Sequence, residues 1–354
     1  MGEAITTIGC DLGDKQSTLC ILGIDDRLER PKSIQTTREG FRKFFSRPAA
    51  HVVIEVGTHS RWVSSLLKEL GHRVTVANPR RVQLISQNES KTDQVDAELL
   101  ARLGRVDVKL LKPIQHRSIE AQSDLAVAKA RDALVQTRTR LINACRGMVK
   151  SFGERLPKCS SESFHRKARS QVPAELERAL APLFKVLEQI QQAIREQEKT
   201  LERLARKYPD VGVISQPNGV GILSALVFLL TLEDKSRFES SRAVGAFIGL
   251  RPRQNQSGDG DPQLRITKTG DAFLRRLLVQ CANYILGPFG KDSDLRRWGL
   301  ELAKRGGKNA RKRAKVAVAR KLGVLMHRLW VTGEVYEPIG YQASGKVERP
   351  AASA

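Results

Sequence analysis

The sequence predicts an α/β domain at its N-terminus, followed by a long helical hairpin and a mainly helical C-terminal domain. Short β-branched runs alternate with amphipathic stretches over residues 1–112, which is typical of strands alternating with helices. Leucine and isoleucine then recur at helical spacing over 113–205, which indicates long helices. Residues 206–330 combine helical patterns with basic, glycine-containing loops, and the Gly-, Pro- and Ala-rich residues 331–354 predict a disordered tail.

The composition indicates a globular protein with an anionic partner. Hydrophobic residues make up 40% of the chain, and 61 Lys and Arg against 38 Asp and Glu give a formal charge of +23. Such an imbalance is destabilising unless a polyanion offsets it, and nucleic acid is the first candidate, an anionic membrane the second. No run reaches the roughly 18 apolar residues of a membrane span, and no signal peptide is evident. Five cysteines without a Cys-x-x-Cys pair favour reduced thiols and a cytoplasmic location.

Within residues 1–112, the predicted order is three antiparallel strands, then alternating helix and strand, then a helix that begins at Asp93. Gly13-Asp14-Lys15 is a hairpin signal between the first two strands. The near-continuous apolar run at 51–56 is expected of a central buried strand. The predicted strands are residues 6–12, 18–24, 33–37, 51–56 and 73–77, and the predicted helices between them are 38–46 and 60–70.

Two acidic residues occupy strand positions that core packing disfavours. Asp11 lies near the end of an apolar strand, and Glu55 lies inside Val-Val-Ile-Glu-Val-Gly. A buried carboxylate is costly unless it is paired, hydrogen-bonded or bound to a metal ion. Taken singly, each could be a satisfied buried acid or could face solvent.

Asp93 and Asp96 add two more carboxylates at the start of a predicted helix. Their spacing places both on one helix face, about 5–6 Å apart. One interpretation is a helix start, with Asp93 as N-cap and Asp96 near the third helical position. The other is a divalent metal ion that offsets their repulsion. With Asp11 and Glu55 they form a hard-oxygen donor set from three elements that suits one or two Mg²⁺ ions and phosphoryl transfer.

These acids lie in motifs that resemble a known family. Ile8-Gly-Cys-Asp11-Leu-Gly, Ile54-Glu55-Val-Gly and Lys91-Thr-Asp93-Gln-Val-Asp96-Ala are similar to the DEDD transposases of a bacterial insertion-sequence family. The resemblance implies a ribonuclease-H/RuvC-like mixed sheet over residues 1–112, in which the four acids are catalytic and bind Mg²⁺. It also implies recombination guided by a noncoding bridge RNA.

A competing resemblance involves the same first motif. Asp11-Leu-Gly-Asp-Lys-Gln-Ser-Thr18 is similar to the first phosphate loop of actin-like sugar kinases and ATPases. That fold needs a second Asp-Gly-Gly phosphate loop and a glycine-rich adenosine site, and the sequence contains neither. The nuclease-like interpretation is therefore preferred.

Residues 113–205 predict an antiparallel coiled-coil hairpin. The first helix, residues 114–149, and the loop over 150–170 carry mostly positive charge, whereas the second helix, residues 174–208, is acidic and mixed. The positive face could bind nucleic acid or could simply be solvated. Because coiled coils also join subunits, the hairpin could serve oligomerisation.

Residues 206–330 contain a second block of motifs. The loop with Gly219 and Gly221 resembles the hairpin of a helix-hairpin-helix, whose helix start can hold a phosphate; the alternative is an ordinary turn before a helix. Ser257 lies in a polar loop next to the acids Asp259 and Asp261. The block from Gly249 to Arg276 is similar to the C-terminal part of the same transposase family, and the resemblance assigns Ser257 as a catalytic nucleophile. The cations predicted to contact nucleic acid here are Arg251, Arg253, Arg265, Lys268, Arg275 and Arg276.

The segment 305–328 has nine basic residues, no acid and an amphipathic pattern. It predicts a helix along a phosphate backbone, with Arg311, Lys312 and Arg313 as contacts; a membrane-surface helix is the alternative.

Together these features predict an insertion-sequence transposase that exchanges DNA strands with Mg²⁺ and Ser257. The expected partners are donor and target DNA, a guide RNA and further copies of the chain, with no membrane. The family resemblance implies an active site that closes between subunits. Two other classes stay open: a hydrolytic junction nuclease that uses the four acids and water, and a non-catalytic nucleic-acid scaffold.

Overall fold

A computed structural model of the chain describes residues 5–78, 92–255, 264–307 and 309–340. The chain divides into two compact units, residues 1–116 and residues 117–354. The boundaries predicted from sequence were residues 112, 205 and 330, and the last two fall inside the larger unit.

The first unit is built on a five-stranded mixed sheet, as predicted. Its strand order is β3-β2-β1-β4-β5; β1 pairs antiparallel with β2 and parallel with β4. The strands are β1 Thr7–Asp11, β2 Gln16–Leu22, β3 Lys32–Gln35, β4 His51–Glu55 and β5 Arg73–Ala77. The helices are α1 Arg38–Phe45, α2 Ser60–Glu69 and α3 Asp93–Val106. This architecture is consistent with a ribonuclease-H-like DEDD domain.

Alternation along β4 explains why that strand is apolar throughout. Val52 and Ile54 are buried in a core with α1 and α2, while Val53 between them is buried in a second cluster with Leu100 of α3. Successive side chains of a strand point to opposite faces of the sheet. The strand is therefore covered on both faces, as central strands with near-continuous apolar sequences are.

Two long helices dominate the start of the second unit. They are α4 Ile119–Ser151 and α6 Ala174–Lys207, and the short helix α5 Phe164–Lys167 lies between them. Side-chain contacts fix an antiparallel arrangement, because Arg131 bonds Glu198 at 2.5 Å while Lys207 bonds Asp124 at 2.9 Å. The helical hairpin is thus present, and its description as a coiled coil stays a prediction. Helix α4 begins later than predicted because Ser118 caps it.

The C-terminal helices pack around α8, whose residues from Ser224 to Leu232 are all buried. Their shared core also contains Leu125 of α4 and Leu201 of α6. The base of the hairpin and the C-terminal helices therefore form one core. These helices are α7 Asp210–Ile214, α8 Ile222–Leu232, α9 Ser241–Phe247, α10 Ala272–Ile285, α11 Asp294–Lys304 and α12 Ala310–Thr332.

The structure differs from the sequence interpretation in two places near the C-terminus. The predicted helix over 305–328 begins only at Ala310, after Gly306 and Gly307, which both have positive φ values. Residues 331–340 of the predicted disordered tail are described: the first two end α12, and the backbone N–H of Asp294 donates to Pro338 at 2.8 Å. Residues 341–354 lie outside the described chain.

All five cysteines are free thiols, and Cys159 is the least buried of them. Across the part of the chain that the structure describes, no helix combines the length and the apolar character needed to cross a membrane.

Candidate active site and nucleic-acid interface

Asp11 and Glu55 lie at the carboxyl ends of neighbouring parallel strands. Cys10 of β1 is in register with Ile54 of β4, so the two acids follow at the same edge of the sheet. Both acids are half-buried. Burial, together with the negative charge of Asp11, raises the pKa of the Cys10 thiol. The sheet therefore delivers both carboxylates to one edge through main-chain pairing alone.

Helix α3 carries the other two acids to that edge. A Cβ atom on Gly9 would clash with the carbonyl oxygen of Ala97, and one on Gly104 would clash with Val53. At the far end of α3, Arg105 bonds Thr7, the first residue of β1, at 3.0 Å. The helix therefore runs antiparallel to β1, and its first turn lies where β1 and β4 end.

Thr92 caps α3, which corrects the helix-start interpretation of Asp93. The Oγ1 atom of Thr92 accepts a hydrogen bond from the N–H of Val95 at 3.3 Å. Asp93 is therefore the first helical residue rather than the N-cap. Asp93 and Asp96 still lie in the first turn, where the helix macrodipole favours negative charge.

The four acids share an edge without forming a closed ligand shell. Within the described residues, no group of three or more His, Cys, Asp or Glu side chains is arranged to hold a metal ion. The assignment of the four acids as metal ligands stays a prediction.

Sequence reasoning missed a hydrogen-bonded group near the same edge. The indole N–H of Trp62 donates to Nδ1 of His59 at 3.0 Å, and Nε2 of His59 lies 3.4 Å from Asp14. With Nδ1 accepting, neutral His59 carries its proton on Nε2. The available signal was the position of His59, shortly after Glu55, and of Asp14, shortly after Asp11.

Ser257 lies outside the described residues, as do Asp259 and Asp261. The segments on either side of that gap are described, and they pair with each other. The N–H of Arg253 donates to Arg265 at 2.9 Å, and that of Thr267 donates to Arg251 at the same distance. Main-chain pairing therefore brings three of the predicted cations together at the base of the segment that contains Ser257.

Glycines hold this paired segment against the end of α9. A Cβ atom on Gly249 would clash with Thr269, and one on Gly270 would clash with Phe247. Both glycines have positive φ values, and so does Lys268, at 54°. An L-residue with positive φ is strained. The surrounding contacts therefore impose the backbone conformation of Lys268.

Arg275 and Arg276, the other cations of this block that were predicted to contact nucleic acid, have different surroundings. The guanidinium of Arg275 is half-buried and donates to the carbonyl oxygens of Ile248 and Thr269 at 3.0 and 3.1 Å. Its contacts support the paired segment, and its assignment to nucleic acid stays a prediction. Arg276 is exposed and bonds Asp132 of α4.

The turn before α8 contains the two glycines that were predicted to hold a phosphate. Gly219 has a φ of 93°, and a Cβ atom there would lie 3.0 Å from both Ile285 and Tyr284. Gly221 is the N-cap of α8, and the helix start has no side-chain cap. A Cβ at Gly221 would meet nothing within 4 Å. Gly221 and Ile222 at this helix start are both exposed, and their contact with a phosphate stays a prediction.

Three exposed cations begin α12. Arg311, Lys312 and Arg313 lie in its first turn, where the macrodipole disfavours positive charge. The opposite face of α12 is buried through Val318, Leu322 and further residues of the main core. The apolar face predicted from sequence is thus used for packing, which leaves the membrane-surface interpretation without an exposed apolar face.

Comparisons with known families match both blocks of motifs. A family model described as Transposase, of the IS110 DEDD type, matches residues 8–153, which include all four acids. A second model, described as Transposase IS116/IS110/IS902 family, matches residues 212–292.

Several individual proteins are similar along most of the chain. The transposase for insertion sequence element IS1111A of Coxiella burnetii is 30% identical over 346 residues, with 94% of this chain and 91% of that protein covered. A probable family 20 transposase of Pseudomonas aeruginosa is 26% identical, with 94% and 99% covered. A more distant relative is the pilin gene-inverting protein of Moraxella bovis, 24% identical, with 78% and 79% covered.

Proposed function

Because the chain belongs to the IS110 family of insertion-sequence transposases, enzymes that cleave and recombine DNA, we propose how its residues divide that work. Asp11, Glu55, Asp93 and Asp96 form the acidic centre, and Ser257 attacks a DNA phosphate. The observation that carries the proposal is the meeting of β1, β4 and the first turn of α3 at one sheet edge.

The donor set at that edge suits a hard divalent cation. DEDD transposase domains use divalent metal ions, and four carboxylates from three elements match the oxygen preference of Mg²⁺. When bound, such ions stabilise the attacking and leaving oxygens of phosphoryl transfer. The role of the chain is to fix the acids: β1 and β4 hold Asp11 and Glu55, while α3 supplies Asp93 and Asp96.

Ser257 would make the reaction reversible. Its Oγ, after losing its proton to a general base, would bond to phosphorus as one bridging P–O bond breaks. The departing strand oxygen would take up a proton from a general acid, which leaves a phosphoserine link and a free strand hydroxyl. Attack by a hydroxyl of another strand would then release the serine and rejoin DNA. The neighbouring cations Arg251, Arg253 and Arg265 would steady the phosphate charge.

Strand exchange is favoured over simple hydrolysis by one comparison. The Moraxella bovis relative is named for inverting a pilin gene. Inversion requires that cut strands be rejoined, and a covalent serine intermediate keeps the energy of the broken bond for that step. A hydrolytic nuclease would lose it.

A guide RNA and a closed oligomer complete the proposal. The chain is rich in cations that suit phosphate contacts but has only 5% aromatic residues for base stacking. Base pairing by RNA would supply the sequence recognition that such a surface lacks. An active site shared between subunits would delay cutting until both DNA partners are assembled.

The test is an incubation of the full chain with Mg²⁺, donor and target DNA and the noncoding RNA of its own element, followed by denaturing gels. We expect a covalent protein–DNA adduct that Ser257→Ala abolishes and that Asp11→Asn or chelation of Mg²⁺ reduces at least ~100-fold. The exposed residues Ser170 and Glu69 provide matched controls, Ser170→Ala and Glu69→Gln.

Three outcomes would contradict separate parts of the proposal. Cleavage that persists in Ser257→Ala without an adduct would indicate a hydrolytic nuclease. Unchanged activity in Asp11→Asn would exclude the acidic centre. Full, site-specific recombination without RNA would exclude the guide.

A further inference from the structure

The tip of the helical hairpin contains a basic pocket of about 420 Å³, which we call the hairpin-tip pocket. It lies between the last turns of α4 and the loop that follows. Four cations line it together with Leu156 and Pro157, and none of its lining residues is acidic. The four cations are Arg146, Lys150, Arg155 and Lys158.

The loop that completes the pocket is held by the fold. Gly153 ends α4 with a φ of 81°, and its N–H donates to Lys150 at 3.0 Å. Leu156 is buried in a cluster that also contains Phe164 and Phe184, whose stacked rings have centroids 5.7 Å apart. These contacts fix both sides of the pocket before any ligand arrives.

Arg146 is also held in place. Its guanidinium lies 5.2 Å from the ring centroid of Phe164, a cation–π contact that orients the charge. Lys150 is one turn further along the same face of α4, and like charges at that spacing destabilise a helix. Within the described residues, no carboxylate forms an ion pair with any of the four cations. Glu154 lies in the same loop but does not line the pocket, so the lining itself carries only positive charge.

We infer that the hairpin-tip pocket binds the sugar–phosphate backbone of a nucleic acid. A pocket of fixed cations without carboxylates favours an anion, and long exposed Lys and Arg side chains suit a strand that passes across the surface. The pocket has no Asn, Gln or aromatic side chain that could read bases. The lining thus offers cations for phosphate oxygens, and it lacks the amide and aromatic side chains that read adenine or stack on bases. The inference rests on the proposed function only as the reason that nucleic acid is present.

The test compares two triple variants with equal charge loss. Lys150→Ala, Arg155→Ala and Lys158→Ala together remove the exposed cations of the pocket. Lys185→Ala, Arg195→Ala and Lys199→Ala together remove exposed cations of α6. Binding of labelled duplex DNA and of structured RNA of equal length is measured by fluorescence anisotropy at several salt concentrations, without Mg²⁺, so that no cleavage occurs.

We expect the pocket variant to bind at least one of the two nucleic acids about 10-fold more weakly than the α6 variant does. Its log–log salt slope should fall by about 2 to 3, since each lost phosphate contact lowers the slope by roughly one. The nucleic acid that the pocket variant binds more weakly, DNA or RNA, is the ligand of the pocket. Equal losses in the two variants, with both nucleic acids, would overturn the inference.

Two further measurements separate the pocket from other effects. Circular dichroism melting of both variants checks that the hairpin is folded, and Lys150→Arg with Lys158→Arg should retain binding because charge is kept. Retention of affinity in this pair and loss in the alanine variant would support phosphate recognition, whereas loss in both would contradict it. Because only binding is measured, failure here leaves the serine and acid chemistry separately testable.

Discussion

Glycine at positions 9 and 104 allows α3 to lie directly against the sheet. At both positions the space that a side chain would need is already filled, by the backbone of Ala97 in one case and by Val53 in the other. Position 9 is beside the strand end that carries Asp11, and Ala97 follows Asp96. The close approach of α3 to the sheet therefore depends on the absence of a methyl group at each of these two positions.

Gly9→Ala should push α3 away from β1. A Cβ there would lie 3.1 Å from the Cα of Ala101 as well as against the oxygen of Ala97, and backbone cannot rotate aside as a side chain can. We expect a loss of about 1–3 kcal/mol in the free energy of unfolding, measured in urea. DNA cleavage by the folded variant should also fall, because the helix acids move away from the strand acids.

The control for this substitution is Gly147→Ala in α4, where an added Cβ meets nothing within 4 Å. This substitution should raise the free energy of unfolding by about 0.5–1 kcal/mol, because alanine loses less backbone entropy than glycine on folding. Equal effects of the two substitutions would show that α3 is not in contact with β1 as described.

His51 makes the stability of the first unit depend on pH. Burial, with the nearby charges of Arg73 and Arg105, lowers the pKa of His51 to about 4. The unfolded chain has a histidine pKa near ~6.5. The stabilisation is therefore complete above about pH 6.5 and is lost as the pH falls towards 4, with a slope of about 1.4 kcal/mol per pH unit.

This dependence can be measured by urea unfolding between pH 7.5 and 4.5. His51→Gln keeps a polar partner for Thr75, which bonds His51 at 2.8 Å, and should flatten the slope by about one proton. His59→Gln, on a more exposed side chain, is the matched variant. A slope unchanged by His51→Gln would exclude His51 as the titrating group.

At the scale of elements, one arginine fastens the end of α3 to the sheet. Nη2 of Arg105 donates to the carbonyl oxygens of Ile5, Leu22 and Gly23 at 3.0–3.1 Å, and Nε donates to Thr7. These carbonyls lie around the start of β1 and the end of β2, so the guanidinium ties both strand ends to α3. It sets the axial position of α3, and with it the position of Asp93 and Asp96.

Arg105→Ala should lower the free energy of unfolding by about 3 kcal/mol, since several carbonyl groups lose a charged donor. Arg105→Lys should recover only part of this, because an ammonium cannot reproduce the planar fork. Arg102→Ala, on the same helix, removes an exposed ion pair with Glu98 and should cost less than about 0.5 kcal/mol. Equal costs at positions 102 and 105 would contradict the anchoring role.

Element boundaries could be predicted from sequence where the signal that sets them is local. All five strands agree with their predicted ranges within two residues. For β1, β2, β4 and β5 the reason is that apolar runs ended by Gly or Pro are local signals. One of the two interpretations of the α3 start took Asp93 as its N-cap; the cap is Thr92, since both residues are good caps and only geometry separates them. The start of α12 was placed at residue 305, although Gly306 and Gly307 indicated that the helix begins after them.

At the scale of the whole chain, long-range contacts account for most of what sequence reasoning missed. The contact of Pro338 with Asp294 joins distant residues, so a Gly- and Pro-rich stretch was interpreted as disordered. Arg275 was predicted to contact nucleic acid, while its half-buried bonds to Ile248 and Thr269 depend on how α10 packs. Asp11 and Glu55 were singled out from sequence because a carboxylate inside an apolar strand is unusual, and Asp93 and Asp96 because of their spacing and motif. That the two strand acids lie at one edge of the sheet follows only from the parallel pairing of β1 with β4.

The antiparallel pairing of α4 with α6 limits how the hairpin can change in length. The arms are nearly equal, at 33 and 34 residues, and cross-links such as Arg138 to Gln191 set their alignment. An insertion in one helix alone would move all later residues of that helix out of register with their partners on the other helix. Lengthening is tolerated only when both arms grow together, in steps of about seven residues that restore the same faces. Each such step of seven residues in both helices would move the tip of the hairpin outward by about 10 Å and leave the packing at its base unchanged.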